Sequence, residues 1–383
     1  MKKLFLPVSA SLLAVSILGL MMIIGCGSGS TSSSAPSFGL STPTTQSNIR
    51  VANETYASYG AIVPVGTNIH VLWGIGSLAN GELNYFLSTN DGGTFSRQDH
   101  KGKLDNGGYI TAAYSPDDDT IYALYQGSPS TTDHYLIMAT IDATAATTIT
   151  TSEVGLWKLG GFDVCAGTGE GFVVYSDLDT ASLDRDDLPP SSSTSIYSAY
   201  VPTVGGVACK AISSTTEEVV FVHGTATPAD LIFARSNNGG STWTPTTIIN
   251  NYSASAMKYV DMDVYGENIF ACVLLTGTGD IIFAKSTNGG ANWSTNTIST
   301  SYDMAEPNLI YHDGVLYIGY MHTDGGGNVD IMLAKSNDLG ENWVFEKCKD
   351  NVGTGSIHMD MAIANNNIYI VYSVSTQGIY LLK

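Results

Sequence analysis

SNNGGSTW (236–243), STNGGANW (286–293) and SNDLGENW (336–343) recur at intervals of 50 residues. The repeated positions are Ser236, Asn238, Gly240 and Trp243, then Ser286, Asn288, Gly290 and Trp293, then Ser336, Asp338, Gly340 and Trp343. A fourth copy, STNDGGTF (88–95), keeps the register through Ser88, Asn90 and Gly92 and puts Phe95 in the aromatic place. Three copies follow an apolar run: DLIFARS, DIIFAKS and DIMLAKS. The pattern reads as a strand, a tight turn and an aromatic that anchors the returning strand. Ser and Asn or Asp side chains bond nearby backbone groups and hold such turns. The glycine supplies a positive φ at no Cβ cost, and the ring brings a large apolar area. Asn288 stands where Asp338 stands, so the turn needs no charge. That favours a structural clip over a catalytic or metal-binding loop.

These stretches resemble the Asp box, or bacterial neuraminidase repeat, of the sialidase superfamily of β-propellers. The departure is Asn for Asp at Asn90, Asn238 and Asn288. The resemblance implies a propeller fold and says little about activity, because the box occurs in propellers of unrelated function. The period extends through alternating strands: NIHVLW from Asn68, TIYALY from Thr120, GFVVYS from Gly171, EVVFVH from Glu218, NIFACV from Asn268, VLYIGY from Val315 and NIYIVY from Asn367. Spacings of this size mark propeller blades. A short strand precedes each marker, from ASYGAIV to HMDMAIA, and reads as the innermost strand. The expected fold is all-β: a seven-bladed propeller of four-stranded antiparallel blades, with six or eight blades as alternatives. The last unit has three strands, so NIRVANE from Asn48 is expected to close it and to cover an open edge. HYLIMATID from His134 and SIYSAYV from Ser195 read as third strands without the box, and 181–195 as a long polar loop.

Of the 383 residues, 35 are acidic and 16 basic. That balance disfavours nucleic acid and anionic membrane surfaces. Lys2 and Lys3 precede an apolar run from Leu4 to Ile24, an export signal. Ile23-Ile24-Gly25-Cys26 resembles a bacterial lipobox, which implies lipidation at Cys26. The rival reading is an uncleaved transmembrane anchor. The domains expected are a signal peptide (1–25), a Ser/Thr-rich tether (26–47) and the propeller (48–383). The address is the cell envelope, at the outer membrane or cell surface, with the membrane as a partner through the lipid. Cys165 and Cys209 fall on neighbouring inner strands and are either bridged or buried thiols; Cys272 and Cys348 complete the set.

Propeller ligands usually bind where inner strands begin and second strands end. Asp261, Asn308 and Asp360 share one aligned place there, and Tyr59, Tyr259, Glu306 and His358 another. Asp163 and Asp263 lie close by. Trp73, Tyr125, His223, Tyr320 and Tyr372 end the second strands. Three readings stay open. Rings and acids suit a sugar. Two carboxylates among Asp163, Asp261, Asp263, Glu306 and Asp360 suit glycoside hydrolysis, and a ring of acids suits Ca²⁺. The plain alternative is that these polar groups bond one another and the rings pack between blades. No H-E-x-x-H, G-x-S-x-G or phosphate-loop pattern occurs, so no other cofactor or metal is expected.

By the resemblance, an active sialidase would hold a substrate carboxylate with three arginines, one in Arg-Ile-Pro, and use a Tyr–Glu pair and an Asp. There is no Arg-Ile-Pro here, and the arginines are Arg50, Arg97, Arg185 and Arg235. Their places in the repeat do not converge. The expectation is a binding or scaffolding module for a glycan or envelope protein. The alternatives are a hydrolase or lyase on a neutral glycan, and an assembly factor for an envelope complex.

Overall fold

The computed structural model describes residues 38–383 except 44–47, 54–56, 76–80, 105–108, 128–134, 146–147, 157–160, 168–170, 178–180, 190–192, 199–205, 225–226, 299–302, 354–356 and 375–376. The stretch read as an export signal, Cys26 and His134 lie outside the described residues.

The second strand of each unit is apolar on both sides. Asn268–Leu275, for example, is buried along nearly its whole length. A strand of that kind must be covered on two faces, so units stack side by side around a ring. The described chain forms seven blades, each a four-stranded antiparallel sheet, and contains no helix. The inner strands are Ala57–Val65, Ile110–Ser115, Phe162–Ala166, Val207–Ala211, Met257–Tyr265, Asp303–His312 and Ile357–Ala364. The apolar core lies between blades: Val220, Leu231 and Phe233 of blade four pack on Val260, Met262 and Ile269 of blade five. Blades one and two also share one bridge, Leu104 opposite Gly127.

The boxes act as clips. Gly240, Gly290 and Gly340 donate their N–H to the Oγ of Ser236, Ser286 and Ser336 at 2.8–2.9 Å. Asn238, Asn288 and Asp338 accept the N–H four residues on at 2.9 Å. Each Trp indole donates to the carbonyl of its box glycine at 3.0–3.1 Å. Each clip also seats on the preceding blade, where a Cβ on Gly290 would lie 2.2 Å from Phe233 and one on Gly340 2.1 Å from Phe283. The Trp rings are half-buried.

Blade three departs from expectation. Ser182–Asp187 is its third strand and Thr194–Ser198 its fourth, so the first part of the stretch read as a loop is sheet. Charge disguised it. Arg185 is 3% exposed and pairs with Glu217 and Asp187. It occupies the place that Phe233 and Phe283 fill in blades four and five, beneath Gly240. The charge is tolerated because its donors are matched by carboxylates.

Blade seven closes as expected: Ile49–Ala52 pairs antiparallel with Gly378–Leu382. Part of the stretch read as tether is also packed. Phe38 and Leu40 lie against the core shared by blades six and seven. Leu40 donates its N–H to the Tyr317 hydroxyl at 2.7 Å, and the Lys335 ammonium donates to the Leu40 carbonyl at 2.8 Å. Two apolar side chains in a polar segment are enough to dock it. Gly39, at φ +73, turns the chain there much as a box glycine does.

Candidate functional site: the axial mouth

Seven inner strands surround a central cavity of about 380 Å³. Their pairing with the second strands fixes a common register, and side chains reach the axis in tiers. The middle tier is Ala61, Thr111, Asp163, Ala208, Asp261, Asn308 and Asp360, opposite Leu72, Leu124, Val174, Val220, Cys272, Gly319 and Val371. Two residues earlier, at the mouth, stand Tyr59, Tyr109, Gly161, Gly206, Tyr259, Glu306 and His358. Two residues later come Val63, Ala113, Cys165, Lys210, Asp263, Ile310 and Ala362.

The acids obey one rule. Each accepts an N–H from the inner strand of the next blade, which no sheet ladder reaches. Asp163 accepts from Cys209 at 2.9 Å, Asp261 from Leu309 at 2.6 Å and Asp263 from Tyr311 at 2.7 Å. Glu306 accepts from Met359 at 3.3 Å, and Asp360 from Ile62 at 2.8 Å, across the blade seven–one junction. The four aspartates also each accept the N–H of the following residue at 2.8–2.9 Å. Thr111 donates its hydroxyl to Asp163, linking blades two and three. The carboxylates thus stitch neighbouring blades through the backbone, whereas the plain reading of the sequence had these polar groups bonding one another. Cys165 and Cys209 are joined as a disulfide between blades three and four, with Cα atoms 5.9 Å apart.

Burial outweighs these bonds electrostatically. The carboxyls of Asp261 and Asp360 are pushed up to about 7, chiefly by desolvation, and that of Asp163 is also raised by burial. Lys210 is the one lysine or arginine among the described residues lining the cavity. Its ammonium lies 3.3 Å from Asp263, whose charge raises its affinity for the proton.

The mouth is different in kind. β-bulges interrupt the ladders at Ala57/Gly60, Lys258/Val260 and Ala305/Asn308. They turn Tyr59, Tyr259 and Glu306 toward the axis, with Tyr259 and Glu306 at φ +51 and +47. Such backbone is uncommon for non-glycine residues and gathers at functional sites. The Tyr59 and Tyr259 hydroxyls are 3.4 Å apart across the opening. His358 packs against Tyr59 with the rings tilted by 38° and centroids 3.8 Å apart, and its Nδ1 lies 2.6 Å from Glu306 Oε1. Tyr109 meets Tyr59 edge-on at 5.6 Å. Gly161 and Gly206 take the blade three and blade four places of this tier; both are buried, and Gly161 packs against Gly206 and Val207.

Tyr59, Tyr259, Asn308, Asp163, Asp261, Asp263, Glu306 and Asp360 all line the cavity, and His358 adjoins it. The second-strand aromatics do not reach it. Trp73, Tyr125, Tyr320 and Tyr372 are 0–2% exposed and belong to the cores between blades. Large rings at those positions seal the blade contacts instead. His223 packs against Tyr197 at 5.4 Å. Sequence reasoning missed Tyr109, Thr111 and Lys210, which the register count would have found. The arginines stand on outer strands: Arg50 bonds Asn53 and Gln377, Arg97 lies near Glu82, Arg185 pairs with Glu217, and Arg235 pairs with Glu218.

The class these features define is a seven-bladed β-propeller of four-stranded blades with an acidic, aromatic axial mouth. Two solved structures agree on the fold with TM-scores above 0.5. The phage phi92 endosialidase superposes with a TM-score of 0.51 at 12% identity, covering 88% of this chain and 68% of that one. The Trypanosoma rangeli sialidase, in complex with 2,3-difluorosialic acid, gives 0.51 at 9% identity, covering 89% of this chain and 57% of that one. A Fusarium graminearum α-L-arabinofuranosidase gives 0.49 at 14% identity, covering 76% and 97%. No protein-family profile matches the chain, and no curated protein sequence matches it.

Proposed function

We propose that this chain is an exported, lipid-anchored propeller that binds a glycan at its axial mouth, as a recognition module of the cell envelope. The observation that carries the reading is the set of tyrosines at the mouth, Tyr59, Tyr109 and Tyr259, held beside the Glu306–His358 pair. Aromatic faces cover the apolar side of a sugar ring, and the carboxylate and imidazole take its hydroxyls. The middle-tier acids already serve the fold, which weighs against a hydrolytic role for them. The outward arginines and the acidic channel weigh against sialic acid. Cys26 would carry the lipid, and the outer membrane or cell surface would be its place. A screen of glycans against the chain from Ser37 onward tests the reading. Binding that survives Tyr59→Ala and Tyr259→Ala together would remove the mouth from it.

A second reading, hydrolysis or elimination on a neutral glycan, draws on Asp261 and Asp360, whose carboxyls titrate near 7 and suit a general acid. Turnover that persists in the Asp261→Asn, Asp360→Asn double variant excludes them.

A further inference from the structure

From the charge and ring arrangement of the mouth we infer that its ligand presents an organic ammonium group; the carrier, a glycan with free amines, rests on the glycan reading above. Four carboxyl groups, Asp163, Asp261, Glu306 and Asp360, surround the upper and middle tiers; burial favours the protonated form of the three aspartates, and an ammonium seated among them favours the ionised form. The cavity's ammonium, Lys210, stands a tier lower, against Asp263. Three tyrosine rings border the same space. A cation within about 6 Å of a ring face is attracted by its quadrupole, more strongly where water is excluded.

The field can be read from Tyr109. Its hydroxyl is held well above the ordinary phenol range, first by burial and then by Asp163, Asp261, Asp360 and Glu306 together. A field that opposes a phenolate favours a cation at the same place. It also opposes an anionic sugar. The carboxylates are fixed by backbone N–H groups, so they need not reorganise when a charge arrives. Those bonds also occupy the oxygens that a hard ion such as Ca²⁺ would need as ligands. Rings give such an ion nothing comparable, whereas an alkyl or sugar ammonium meets both rings and charge.

The test is calorimetric titration of the full chain in detergent with three probes: a glucosamine tetramer, its N-acetylated counterpart and tetramethylammonium chloride. The expected result is binding of the amine tetramer and none of the acetylated one. Affinity should fall as salt rises from about 50 to about 500 mM. Tyr259→Ala and Glu306→Gln should each weaken binding about 5- to 30-fold. Tyr109→Phe keeps the ring and should stay within about twofold, and thermal melts confirm that each variant folds. If the acetylated tetramer binds as well as the amine, the ammonium inference fails and the glycan reading stands. If tetramethylammonium binds, Tyr259→Ala weakens it and neither tetramer binds, the ammonium inference stands and the glycan reading fails. Failure of both cations to bind overturns the inference.

Discussion

Gly290→Ala tests how the clips hold the ring. Gly290 has φ +84 and gives its N–H to Ser286 Oγ at 2.9 Å. An added Cβ would sit 2.2, 2.7 and 2.9 Å from three atoms of the Phe233 ring, which is 2% exposed on blade four. Two costs arise. Left-handed backbone costs alanine about 1–2 kcal/mol. Crowding a packed ring costs about 1–3 kcal/mol. The stiffer unfolded chain returns about 0.4–1 kcal/mol. The net loss should be about 2–4 kcal/mol. Gly266→Ala is the control: φ is +62, in the same blade, and nothing lies within 4 Å of the new carbon. It should lose only about 1 kcal/mol or less. Urea denaturation of both variants gives the difference. Phe233→Leu should relieve part of the crowding, so the double variant should be milder than the sum by about 0.5–3 kcal/mol. If Gly290→Ala and Gly266→Ala lose the same stability within about 0.5 kcal/mol, the clip does not bear on the neighbouring blade and the account of ring packing is wrong.

Acid should stabilise the ring. Asp261 and Asp360 keep their protons up to about 7 when folded, whereas the unfolded chain releases them near about 4. The folded state therefore binds more protons between those values, and stability falls as pH rises from about 4 to about 7. Asp338, held at about 2 chiefly by Asn342, acts in the opposite sense only below that window. Melting temperatures at pH 5 and pH 8 check the sign, and Asp261→Asn should flatten the slope. Asp261→Ala should cost about 1–3 kcal/mol by orphaning the Leu309 and Met262 amides, seen as faster hydrogen exchange at Leu309. Trp293→Ala should cost about 2–3 kcal/mol in urea denaturation, below the range for a fully buried ring, because the indole is half-buried. Arg185→Ala should cost about 3–5 kcal/mol by the same measurement, because Glu217 keeps its charge at 2% exposure without the guanidinium.

The architecture was legible because its signals are local. Box turns need Ser, Asn or Asp, and Gly at fixed offsets, and the half-buried strands alternate. Counting from the second strands brought Asp261, Asn308 and Asp360 together correctly. The count slipped in blades three and four. Where other blades have Ile69, Ile121, Ile269, Leu316 and Ile368, these two have Gly171 and Glu217. Starting one or two residues late left Asp163 out of its tier. Glu217 is there to meet Arg185, a tertiary reason that no periodicity shows. The same ion pair made Ser182–Asp187 look like loop. The aromatics at the second-strand ends were misplaced because a ring at a strand end can face the axis or the adjacent blade, and sequence does not choose between them. That the middle-tier acids bond the next blade also depends on the ring's curvature.

The pairing of Ile49–Ala52 with Gly378–Leu382 has a consequence for biosynthesis. Blades one to six are each built from consecutive strands and can form as the chain emerges. The seventh must wait for the first and the last of the described strands. Bringing such distant ends together costs entropy that grows only slowly with the length between them, but nothing rewards it until the contact forms. Until then the nascent barrel-like ring is an arc with two sticky flanks. Its most vulnerable moment is therefore the interval just before those two strands meet.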